Sequence, residues 1–163
     1  MKKSLVLLAI CIAGILTAKA QSDYKSAIGG RLGSPLSFSY KTFITKPGAI
    51  ELNAGFAPLV YGAYFRVGGM YQHHFPIGDI DGFKWYVGGG AFFDIYSYKG
   101  GYGGYGNTSF GINAVGGVDY KFKTIPLNLS ADWMPSILFG NNLYYSSNFR
   151  PGYGAVSVRY VLK

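Results

Sequence analysis

Beyond residue 20 the chain has no cysteine, since its single one, Cys11, lies in the apolar stretch LVLLAICIAGIL (5–16). The remainder therefore offers neither a disulfide framework nor a thiolate for a metal. Charged residues are scarce, at 13% of the chain against about 25% in an ordinary soluble domain. Histidine is confined to the adjacent pair His73 and His74, which leaves acid–base or metal chemistry little to work with. No segment after residue 20 approaches the ~18 apolar residues of a membrane-spanning helix. No window carries the 3.6-residue period of an amphipathic helix. These absences exclude disulfide-stapled and helical architectures alike.

The first 20 residues, MKKSLVLLAICIAGILTAKA, carry Lys2 and Lys3, then an apolar run, then Ala18-Lys19-Ala20. That order predicts a secretory signal peptide over 1–20, cleaved before Gln21, and one domain over 21–163. Ile10 stands before Cys11, where lipidation would need a small residue, so no lipid anchor is expected. Removing the leader lysines leaves 12 of the 15 basic residues against 7 acidic ones. They are scattered without a basic run, so no nucleic-acid partner is expected, and the excess loosely favours anionic lipid.

Glycine (25 residues) and aromatics (18%) are abundant instead, and apolar residues alternate with a period of two almost throughout. In FGINAVGGVDYKF (110–122), Phe110, Ile112, Ala114, Gly116, Val118 and Tyr120 fall on one face and Asn113, Asp119 and Lys121 on the other. The same division runs through 62–74, 126–134, 153–162, 36–41 and 50–56. KWYVGGGAFFDIYSY (84–98) follows it too, with Trp85, Val87, Gly89, Ala91, Phe93 and Ile95 opposing Lys84, Tyr86, Gly88, Gly90, Phe92 and Asp94. Its three glycines are not a phosphate loop, because no helix follows to offer its N-terminal amides. A weaker strand around 25–33 brings the count to eight.

The connections divide by parity. TKPG (45–48), PIGDIDG (76–82) and KTIP (123–126) are short, whereas 96–108 and 135–150 are long. In an up-and-down meander the two sets emerge at opposite ends, which is the pattern of an outer-membrane barrel with periplasmic short turns. GSP (33–35) is a short link on the long-loop side. Alternation alone suits a soluble lipocalin-like barrel as well, with the faces reversed. The charges decide between them. Arg31, Lys41, Glu51, Arg66, Asp119, Lys121, Asp132 and Arg159 share one face, which is otherwise rich in glycine, serine and asparagine. A water-facing surface would be dense in lysine and glutamate, whereas a narrow lumen needs small residues and a few charges that pair across it. Tyr40, Tyr71, Trp85, Tyr120, Trp133 and Tyr160 are then expected as interfacial girdles. The expected fold is all-β, an eight-stranded antiparallel transmembrane barrel.

These features, with FGINAVGGVDYKF and GAVSVRYVLK as the clearest strands, resemble the small eight-stranded outer-membrane barrels of Gram-negative bacteria, the OmpX and OmpA transmembrane-domain class. The tyrosine- and glycine-rich style and the RYVLK ending are similar to the short outer-membrane barrel proteins of Bacteroidota. The chain ends Leu162-Lys163, whereas such barrels commonly end in an aromatic residue read by the assembly machinery. The resemblance implies residence in the outer membrane and, as partners, outer-membrane lipid and the barrel assembly machinery.

Three groups of candidate site residues follow. Arg31, Lys41, Glu51, Arg66, Asp94, Asp119, Asp132 and Arg159 form an expected lumen charge network, as a plug that fixes register or as the lining of a small passive pore. Tyr98, Tyr102, Tyr105, Tyr144, Tyr145 and Arg150 are expected in the long loops, where tyrosine and arginine suit binding to an extracellular protein or surface ligand. His73 and His74 point to opposite faces at the periplasmic end, away from the outer-leaflet site that lipid-modifying barrel enzymes use. No catalytic, metal or cofactor site is expected, and a non-enzymatic barrel in envelope integrity or surface interaction leads. A passive pore, a lipid-modifying enzyme and a soluble lipocalin-like binder are the alternatives.

Overall fold

In the computed structural model of the chain, the described residues are 24–60, 62–98, 108–139 and 148–162. The expected leader over 1–20 lies outside them. The strands are β1 Ser26–Leu32, β2 Leu36–Phe43, β3 Gly48–Leu59, β4 Gly62–Pro76, β5 Phe83–Tyr98, β6 Thr108–Lys121, β7 Leu127–Phe139 and β8 Phe149–Leu162. Each pairs antiparallel with its sequence neighbours, and β1 pairs with β8, so the sheet closes into an eight-stranded barrel. Closure leaves no row of unpaired backbone groups at an edge. At eight strands the interior is just wide enough for side chains to fill it.

The links at 44–47, 77–82 and 122–126 emerge at the end that also holds the start of β1 and the finish of β8. Thr45 shapes the first of them: its backbone N–H donates to the Gly48 carbonyl and its hydroxyl accepts from the Gly48 N–H. Gly78 and Gly82 supply left-handed φ values of 53° and 80° in the second. Asp81 and Lys123 pair across two of these turns at 2.7 Å, both exposed. The hydrogen bond from Lys123 holds the Asp81 carboxyl below the usual aspartate range. At the opposite end the links are 33–35, 60–61, 99–107 and 140–148. Of the links at that end, 33–35 is short, as its sequence showed, and 60–61 is short as well.

The side chains are distributed inside out relative to a water-soluble domain. Leu36, Phe38, Leu52, Phe56, Val67, Phe93, Trp133 and Tyr160 are exposed on the outer wall, while Arg31, Lys41, Glu51, Asp94, Asp119 and Arg159 are buried. Tyr40, Tyr71, Trp85, Tyr120 and Tyr160 lie toward the turn end as expected of a girdle, but Trp133 falls at the middle of β7. Phe56, Phe65, Phe110 and Phe139 ring the other end, with Phe110 stacked on Phe139 at 5.2 Å.

Two features depart from regular strands. Gly88 and Gly90 were expected to make lumen room. A Cβ on Gly88 would fall on the Tyr71 carbonyl oxygen and one on Gly90 on the Gly69 carbonyl oxygen, so they admit backbone-to-backbone approach where β5 coils against β4. The second feature is in the β7–β8 ladder. Its register shifts between Met134, opposite Tyr153, and Ser136, opposite Arg150. Pro135 on β7 thus faces two residues, Pro151 and Gly152, and Gly152 has φ 87°. This is a β-bulge with its glycine in the left-handed region, and no other shift occurs among the described pairings.

Candidate functional site

The charged interior has two tiers, and their inward residues follow the period of two along each strand. In the tier toward the turns, Arg159 on β8 donates from Nη2 to Glu51 Oε1 (2.6 Å), from Nε to Ser39 Oγ (2.7 Å) and from Nη1 to Ser130 Oγ (2.8 Å). Glu51 also accepts from the Ser39 hydroxyl (2.8 Å) and from Gln72 Nε2 (2.7 Å). Arg31 forms a forked pair with Asp132, which accepts the Tyr86 hydroxyl at 2.7 Å as well. Lys41 donates to Asp119 at 2.7 Å and lies 4.7 Å from the Tyr86 ring centroid. Asn128 occupies the other Asp119 oxygen at 2.8 Å. Every carboxylate here is both paired and hydrogen-bonded, the condition under which buried charge is tolerable.

In the tier toward the opposite mouth, Asp94 faces Arg66 directly across the β4–β5 register. Arg66 donates from Nε and Nη2 at 2.7 and 2.8 Å, and its guanidinium sits 3.8 Å from the Phe92 ring centroid. Tyr96 bonds Asp94 at 3.2 Å and accepts from Arg150 Nη2 at 3.5 Å. Met70, Tyr86, Val115 and Met134 pack together in the interior.

Water is shut out around Arg159 and Glu51. Lys41, Glu51, Gln72, His74, Asn128 and Arg159 are each 0% exposed, so no water column runs past them. The upper half holds two small cavities of about 30 and 20 Å³, room for one or two waters each. The arrangement can hold charge in a fixed pattern.

The structure brings all eight residues of the expected charge network into these two tiers. Lys121 is not among them, because its Nζ bonds the Phe122 and Ile125 carbonyls in the turn. The loop group is placed differently from expectation. Tyr98 belongs to β5 and stacks on Tyr96 at 5.7 Å. Arg150 belongs to β8 and is buried in the lumen. Both strands run further than their glycine- and proline-containing ends suggested. Tyr102, Tyr105, Tyr144 and Tyr145 lie outside the described residues. His74 is wedged between the rings of Phe43 (4.8 Å) and Tyr86 (5.0 Å), with neither ring nitrogen hydrogen-bonded. His73 faces outward and bonds the Tyr71 hydroxyl at 3.0 Å. No group of three or more histidine, aspartate or glutamate side chains is placed to hold a metal among the described residues.

Sequence reasoning did not single out Gln72, Asn128 or Tyr86 as network members, although alternation already placed them on the polar face. A polar residue two positions from an interior charge was the signal for Gln72 and Asn128.

The barrel is similar in fold to one of known structure. The crystal structure of Neisserial surface protein A (NspA) superposes with a TM-score of 0.57, covering 84% of this chain and 93% of that one. At 17% identity the likeness to NspA is one of fold, strand order and closure rather than of site residues. No family model matches the chain, and no curated protein matches it.

Proposed function

We propose that the chain is a non-enzymatic integral outer-membrane barrel whose lumen is filled by side chains and whose outer connections meet the cell exterior. Residues 1–20 act as its secretion signal. The observation that carries this reading is the inversion itself, with an apolar outer wall around buried, mutually bonded charges. In water the inversion would expose apolar surface without return, whereas in a bilayer the wall is solvated by lipid and the interior charges are shielded from it. Helix-based crossing does not enter, since no helix of the described residues is long and apolar enough to span. The partners are outer-membrane lipid, the barrel assembly machinery during insertion, and a surface ligand at the connections within 96–108 and 135–150. Envelope integrity and surface contact are the roles this form suits.

The passive-pore reading is disfavoured by the 0% exposure of Arg159 and Glu51. The test has two parts. The mature protein fractionates with the outer membrane and resists carbonate extraction, and the refolded protein gives no steady single-channel conductance. Recovery in the soluble periplasm would overturn the membrane reading, and stable conductance would overturn the filled lumen.

A further inference from the structure

The larger of the two cavities is a cleft at the mouth opposite the turns, between the 33–35 link, β3, β4, β7 and β8. Three guanidinium groups, Arg31, Arg66 and Arg150, line it, and among the described residues no carboxylate does. Asp132 and Asp94, which pair Arg31 and Arg66, lie behind those side chains and outside the lining. The rest of the polar lining is Ser34, Ser37, Asn53, Tyr64 and Ser136, groups able to donate to an oxyanion.

A separate feature of the backbone directs the third arginine there. From Val161 to Ala155 the inward residues of β8 are the odd-numbered ones, with Arg159, Ser157 and Ala155 buried. Continued without interruption, that alternation would turn Arg150 outward and leave Pro151 inside. The bulge at Pro151–Gly152 inserts one residue, reverses the parity and buries Arg150 opposite Ser136. Bulges at barrel rims serve to re-aim a side chain in this way.

We infer that this cleft is a binding site for a phosphate group. Arg31 and Arg66 keep N–H groups beyond those spent on their aspartates, and guanidinium N–H groups donate well to phosphate oxygens and stay charged at any physiological pH. Asp132 and Asp94 balance two of the three charges, so the opening keeps a net excess of one positive charge, which suits a compact oxyanion. A phosphate monoester of the outer-leaflet lipid and a soluble phosphate present the same chemistry to it. Only the choice between these sources rests on the proposed membrane orientation.

The test uses the mature protein refolded in octyl glucoside, a detergent without phosphate, with inorganic phosphate titrated at constant ionic strength and followed by phosphorus NMR line width. Saturable binding is expected, weakened at least tenfold in Arg150→Gln. Ser136→Asp sets a carboxylate beside Arg150 without emptying the cleft. It should retain the folded barrel's heat-modifiable gel migration and lose binding to the same extent. Absence of a saturable response in the unmodified protein would overturn the site. So would unchanged binding in Ser136→Asp with its barrel intact. Nanodiscs containing phosphorylated or dephosphorylated lipid A then assign the source. If only the phosphorylated form blocks the inorganic phosphate titration, the lipid headgroup is the ligand. Equal titration in both supports a soluble phosphate. A protein that proved soluble in the cell yet still titrated in detergent would keep the site and lose only the lipid source.

Discussion

Placing an arginine at chosen depths on the outer wall of β6 tests the lipid-facing reading quantitatively. The strand has 14 residues, Thr108–Lys121, and its centre lies at Ala114. With a rise of about 3.4 Å per residue and a strand tilt of about 40°, each residue advances roughly 2.6 Å along the barrel axis. Val118 is then about 10 Å from the centre and Thr108 about 16 Å, against a half-height of about 12 Å for the apolar band. All three side chains are on the exposed wall. Ala114 faces Gly89 on the β5 side, which leaves room there for a long side chain, so the measured cost is chiefly one of solvation. Ala114→Arg is expected to cost about 2–4 kcal/mol, Thr108→Arg about 0–1 kcal/mol, and Val118→Arg a value between them. Urea unfolding from phosphatidylcholine vesicles, followed by tryptophan fluorescence and gel mobility, measures each difference. Three equal costs, or none at Ala114, would refute a lipid-facing wall.

Arg159→Met should destabilise the barrel by about 3–5 kcal/mol, because it leaves Glu51 buried without its main partner; adding Glu51→Gln should recover part of that loss in the same unfolding assay. Gly152→Ala should cost about 1 kcal/mol or more, since φ is 87° and the new Cβ would meet the Met134 carbonyl; a neutral result would mean the bulge is not held as described.

The wall and the lumen were legible in the sequence because a period of two leaves each residue only two directions to point. Asp119 and Asp132 could be placed inside by counting alone. Which charges meet was not legible, because Arg31 reaches Asp132 across 101 residues and Arg159 reaches Glu51 across 108. Those pairings depend on the stagger of the closed sheet, which local alternation does not encode. The ends of β7 and β8 were misplaced for a different reason. Pro135 and Pro151 read as loop signals, yet in a barrel such residues are accommodated at a bulge, and the bulge reversed the count that would have placed Arg150. The tight 60–61 link likewise carries no glycine–asparagine turn signature to announce it.

The two strands that close the barrel come from opposite ends of the chain, and β1, at 7 residues, is half the length of β8 at 14. Few ladder bonds therefore hold that seam. Arg31 on β1 reaches past β8 to Asp132 on β7, and Arg159 on β8 reaches past β1 to Ser39 on β2 and Glu51 on β3. Each arginine straddles the joint from its own side, like a pair of crossed latches. An inserting chain can fasten them only when all eight strands are in place. Completion of the cylinder and neutralisation of Arg31 and Arg159 are thus coupled, whereas Arg66 and Asp94 on neighbouring strands pair without it.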